Sequence, residues 1–124
     1  MITLDPRAVA RATVGKSTSR PGTVVLFDSA EVRLIVFRFK PGQSVPPHRS
    51  TSAVVLTVLD GEGLLSDDYD ERTCSAGDVV CFAPGELHGM RATNAEMHLM
   101  ATITPRPGER SQMSTPAEAE VGAA

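Results

Sequence analysis

The sequence predicts an all-β sandwich or barrel, and three observations carry that prediction. About eight short apolar or alternating runs lie between Thr23 and Thr104. Turn signals separate them roughly every 8–12 residues, the spacing of small sandwiches and barrels. No helical period of apolar residues appears within that span.

The elements read in order. Residues 1–22 have no core pattern and are expected to form an N-terminal arm, solvated rather than binding. Within it, Asp5-Pro6 followed by RAVARA has the form of a short helix, with Asp5 as cap and Pro6 at the first position. Gly15 to Gly22 reads as loop. The barrel is placed at 23–104. TVVLF, from Thr23, is β-branched and apolar, a strand, and Asp28 to Glu31 is a turn cluster. Val32 to Lys40 follows, with Ile35, Phe37 and Phe39 on one face; Leu34 and Val36 give way to Arg38 and Lys40 on the other. Pro41-Gly42 stops it. Ala53 to Leu59 is apolar on both faces apart from Thr57, which predicts burial on both sides. Gly61 and Gly63 are read as bracketing a tight reversal. Leu64 to Ser66 leads into the acidic hairpin tip DDYDE, and ERTCS returns. Val79 to Phe82, His88 to Ala92 and Glu96 to Thr104 complete the strands. Residues 105–124, rich in Pro, Glu, Ser and Ala, are expected to be a disordered or loosely packed tail.

Composition narrows the function classes. The chain has 124 residues, the size of one domain, and no apolar run long enough for a spanning helix. The N-terminus lacks a secretory apolar segment, so a cytoplasmic location is expected. A net charge of −3 with scattered arginines gives no nucleic-acid or membrane footprint. Cys74 and Cys81 cannot build a disulfide framework and are expected to be reduced thiols, Cys81 buried in its strand. Cys74 has no nearby base to make it a nucleophile. The tip Asp67-Asp68-Tyr69-Asp70 lacks the spacing and glutamate of a calcium loop and reads as a solvated hairpin end.

Two stretches share one plan: PGQSVPPHRSTSAVVLTVLDGEG (41–63) and GDVVCFAPGELHGMRA (77–92) each hold a turn, an apolar run and a histidine beside a proline-containing bend. Gly42, His48, Ser50, Val54 and Gly61 fall at the intervals of the motif G-x5-H-x-H-x3-E-x6-G. Gly77, Ala83, Gly85, His88 and Ala92 fall at those of G-x5-P-x-G-x2-H-x3-N, with the proline one place along at Pro84. These are the two motifs of the cupin superfamily, and the sequence resembles a small single-domain cupin with a degenerate metal-binding motif. The resemblance implies a double-stranded β-helix, a jelly-roll barrel.

In metal-binding cupins two histidines and a glutamate of the first motif join the histidine of the second around a divalent metal. Carried over by position, His48 and His88 are kept, while Ser50 replaces a histidine and Val54 the glutamate. Two imidazoles fall short of the three protein ligands of a catalytic zinc and of the two-histidine, one-carboxylate set of non-haem iron. His98 is the best candidate for a third ligand, with Gln43, Cys81 and Glu86 weaker. The bland reading of each histidine is a partly buried ring bonded to backbone or water.

The leading reading is therefore a small-molecule-binding cupin whose pocket is lined by His48, Ser50, Val54, Leu56, His88 and Met90. The alternative is a metal-dependent oxygenase or isomerase in which His48 and His88 hold zinc, iron, manganese or nickel. A third is a barrel that only scaffolds an interaction surface, and whether the chain is an enzyme stays open. The two-faced apolar strands, together with the resemblance, imply a homodimer through the first strands, with residues 1–22 crossing onto the partner.

Overall fold

The computed structural model describes residues 1–107. It is an antiparallel β-barrel of eight strands preceded by one helix: α1 (Pro6–Ala12), β1 (Gly22–Asp28), β2 (Arg33–Phe39), β3 (Ser44–His48), β4 (Ala53–Ser66), β5 (Glu71–Ser75), β6 (Val79–Phe82), β7 (His88–Arg91) and β8 (Met97–Thr104). The strand order is β1-β2-β8-β4-β7-β3, with β5 and β6 also paired to β4.

β4 holds the barrel together. Its first half pairs with β8 and β6, and its second half with β5 and β7. One 14-residue strand thus belongs to two sheets and turns the corner between them. The reversal expected at Gly61 and Gly63 does not occur, because the two glycines serve close approach instead. Gly61 has φ +74°, and a side chain there would collide with the Glu96 carbonyl. A side chain at Gly63 would strike Met97 and the Arg91 carbonyl. The bend is helped by a bulge between Val58 and Asp60 against β8.

Alternation puts Ile35, Phe37 and Phe39, Val54, Leu56 and Val58, and Met97, Leu99, Ala101 and Ile103 into one buried cluster, the barrel interior. The strand at Ser44–His48 was not foreseen from sequence. It lies at the end of the strand order, where Pro46 and Pro47 lose no ladder partner, and a register shift separates Val45 from His48. Cys81 is exposed and Cys74 buried, the reverse of the expectation for Cys81, because Val80 and Phe82 take the inward positions of β6.

The arm is not merely solvated. Asp5 caps α1 by accepting from the Ala8 amide at 3.1 Å. Ala10 is fully buried against Val36 and Leu59, with Val9, Leu26 and Met100 around them. The helix therefore covers part of the outer apolar face of β2, β4 and β8 from within the same chain; the crossing to a partner is not needed for that face. After β8, Pro105 accepts from the Ser52 hydroxyl at 2.6 Å and Pro107 is buried. Arg106 and Arg33 grip Asp28 and hold its carboxyl down at about 2. Residues 105–107 are thus anchored, and the rest of the expected tail lies outside the described residues.

The corner predicts a steep contrast between glycines. Gly61→Val should cost about 3 kcal/mol or more by chemical denaturation, combining a positive φ with a backbone collision. Gly42→Ala, also at positive φ but with open space around it, should cost only about 1 kcal/mol.

Candidate functional site

The two motif histidines meet. His48 is the last residue of β3 and His88 the first of β7, and they stand opposite one another in the ladder joining those strands. Their ring centroids are 4.4 Å apart at an interplanar angle of 58°. Both are buried, His48 at 8 % exposure and His88 at 1 %.

Each ring is held in the same way. His48 Nδ1 lies 3.0 Å from the Pro46 carbonyl, and His88 Nδ1 lies 3.1 Å from the Glu86 carbonyl. A carbonyl only accepts, so in each neutral ring Nδ1 carries the proton and Nε2 the lone pair. The repeated bond to the carbonyl two residues upstream comes from the proline-containing bends that precede both histidines. His48 Nε2 is buried and has no hydrogen-bond partner. His98 Nδ1 is the other buried ring nitrogen without a hydrogen-bond partner among the described residues; an unmet acceptor in the interior is costly.

The other expected lining residues lie in the core or in the adjoining loop. Val54, Leu56 and Met90 are buried in the barrel core. Val54 is the cross-strand partner of Phe82, whose ring is 5.2 Å from that of His88. Ser50 is buried in the loop after His48; its hydroxyl accepts from the Ser52 amide and its carbonyl from the Gly85 amide at 2.7 Å. Phe82 was missed as a wall of the site, and the only sequence signal was its position just before the Ala83-Pro84-Gly85 bend. A cleft of about 300 Å³ opens between β5 and β6, lined by Leu65, Asp67, Arg72, Cys74, Val80 and Phe82. Burial pushes the Cys74 thiol up, so it faces that cleft as a neutral thiol rather than a nucleophile.

The proposed extra ligands go elsewhere. Met97 and Leu99 point into the core, so His98 between them points out, beneath α1. There its Nε2 contacts Glu96 Oε1 at 2.8 Å, and Asp60 lies 3.9 Å from Nδ1. Arg38 donates to Glu96 and to the Arg11 and Thr13 carbonyls, while Arg7 and Arg11 lie beside Asp60. His98 therefore belongs to a polar cluster that fastens the helix, on the opposite side of the sheet from His48 and His88. Gln43 is used up in bonds to the Lys40 amide and the Ser17 carbonyl. The Glu86 carboxylate accepts from the Ala83 amide, bracing its own loop.

The donor set among the described residues is incomplete for a divalent metal. Two imidazoles supply no negative charge, position 54 is valine, and no group of three or more His, Cys, Asp or Glu is placed to hold an ion among the described residues.

The family model described as "Cupin domain" matches residues 35–103. Among solved structures, the chain is similar to the TT1209 protein of Thermus thermophilus, at 21% identity over 86% of this chain and 100% of that one, with a TM-score of 0.75. It is similar to an RmlC-like cupin protein from Desulfovibrio desulfuricans, at 27% identity over 76% and 91%, TM-score 0.68. A third is a predicted oxalate decarboxylase from Thermotoga maritima, at 24% identity over 68% and 79%, TM-score 0.64. No curated protein matches the chain in sequence. No described helix is long and apolar enough to cross a membrane.

The outer cluster gives a pH prediction. Arg38, and after it His98, hold the Glu96 carboxyl down at about 2. A depressed carboxyl contributes stability that is present above its unfolded value and lost as pH falls towards the folded one. Glu96 is partly exposed, so solvent screening limits the gain to about 1 kcal/mol. Urea denaturation at neutral pH should show Glu96→Gln less stable by that amount. The gap should shrink below about pH 4.5 and close towards about pH 2.

Proposed function

Since the chain belongs to the cupin family, we propose that it binds a small molecule in the barrel interior, at the paired histidines His48 and His88. The observation that carries this reading is the buried, unpartnered Nε2 of His48 beside a second imidazole. The surroundings support it: Val54, Leu56, Phe82 and Met90 are apolar and buried, and few polar groups converge on them. That mixture is the usual chemistry of a ligand pocket. His48 would accept a hydrogen bond from an N–H or O–H of the ligand, and the apolar walls would supply most of the binding energy.

A residue kept for binding and one kept for packing respond oppositely to substitution. In ligand-free protein, His48→Leu removes the unmet acceptor and loses one bond to the Pro46 carbonyl. Its stability should therefore stay within about 1 kcal/mol of wild type, or rise, by chemical denaturation. A loss of about 3 kcal/mol or more would make His48 a structural residue and end the pocket reading.

The metal-dependent enzyme is the second reading, favoured by the same unmet lone pair. Elemental analysis of purified protein separates the two. A stoichiometric divalent metal, lost in His48→Leu, would move the function to the enzyme reading despite the missing carboxylate.

A homodimer is part of the proposal. β1 ends the strand order and exposes Val24 and Val25, at 38 % and 53 %, along an unpaired edge. Light scattering at micromolar concentration should give about 26 kDa, twice the 13.1 kDa of one chain. A value near the single-chain mass would remove the dimer.

A further inference from the structure

We infer that Arg49 controls access to the histidine pair by tying together the loops that close that end of the barrel. Three loops meet there. His48 ends β3, so the loop 49–52 leaves from it; His88 begins β7, so the loop 83–87 leads into it. Ser66 at the end of β4 pairs with Gly89, next to His88, so the hairpin tip 67–70 lies at the same end. The guanidinium of Arg49 forks between the other two loops. Its Nη1 donates to the Gly85 carbonyl at 2.8 Å and its Nη2 to Asp68 Oδ1 at 3.0 Å. A planar two-donor fork suits such bridging, which a lysine could not reproduce.

The remaining ties show what the fork alone contributes. The loops at 50 and 85 are already joined by the Gly85 amide to the Ser50 carbonyl. Within its own loop, Asp67 accepts from the Tyr69 and Asp70 amides, so the tip is a formed turn that moves as a unit. The Arg49–Asp68 bond ties that turn to the loops beside it, while the strand just behind it is tied to β7 by Arg91 and Glu71. The Arg49–Asp68 bond is also exposed, Arg49 at 55% and Asp68 at 30% of their side chains, which makes it a weak and readily reopened ion pair. The tip borders the cleft between β5 and β6, with Asp67 and Asp70 on its rim and Phe82 on its inner wall against His88. Opening the fork would free the rim of that cleft, whose inner wall, Phe82, is what separates it from His88.

The gate has biological meaning only if the histidine pair is a ligand site. Its test uses no ligand, so the gate and the pocket fail separately. Diethyl pyrocarbonate carbethoxylates neutral imidazole nitrogen and needs direct access to it. The full-length protein, Arg49→Ala and Asp68→Ala would be treated at about pH 7 and the rates at His48 and His98 read by peptide mass spectrometry. His98, buried beneath α1 on the other side of the sheet, reports any general loosening. Both variants should modify His48 roughly two- to fivefold faster, the factor expected from loss of one exposed charge-assisted bond, with His98 unchanged. Unchanged His48 rates in both variants would overturn the gate, and so would equal acceleration at His98.

Discussion

The fold depends on one strand having two sets of partners. β4 gives Ala53 to Gly61 to β8 and Glu62 to Ser66 to β5. For that to happen the chain must bend while keeping its ladder, and the backbones of β4 and the start of β8 must almost touch. Only glycine permits the contact at Gly61, where the Glu96 carbonyl occupies the space of a side chain. Everything at the far end follows from where that corner falls. It brings Leu65 opposite Met90 and Ser66 opposite Gly89, and so sets β7 and its histidine against β3.

The site repeats a local device rather than assembling a long network. In both bends a carbonyl two residues before the histidine accepts a hydrogen bond from Nδ1–H. That bond uses up the ring's own donor and fixes its plane, leaving Nε2 as an acceptor. Two rings held in this way stand 4.4 Å apart. The charged partners are kept apart, on the outer face under α1, where Arg38, Glu96, His98 and Asp60 bond to one another and to the helix end. The sheet thus separates an apolar interior from a charged exterior.

Sequence was informative where spacing alone decides the outcome. The two-residue period of Ile35, Phe37 and Phe39 and the matched intervals around His48 and His88 needed no tertiary knowledge to read. It failed where one residue type serves two purposes. Glycines at 61 and 63 look the same in a reversal as in a close approach, and only the position of β8 distinguishes them. Prolines at 46 and 47 argue against a strand unless the strand is known to lie at an edge. The facing of His98 could not be read without knowing which side of β8 meets the core. The bulge between Val58 and Asp60, which turns Leu59 and Asp60 to the same outer side, leaves no mark in composition. Arg49 was invisible for a different reason: its partners at 68 and 85 come together only once three loops converge.

Val54 is best understood together with Phe82. The two are opposite in the ladder between β4 and β6, both nearly fully buried, and Phe82 leans on His88. A carboxylate at position 54 would stand in this apolar company with no described cation to pair with, and an unpaired buried charge is among the costliest things a core can hold. Valine there removes that cost and lets the aromatic ring close against the imidazole. Valine at position 54 and the apolar packing of Phe82 against His88 therefore go together.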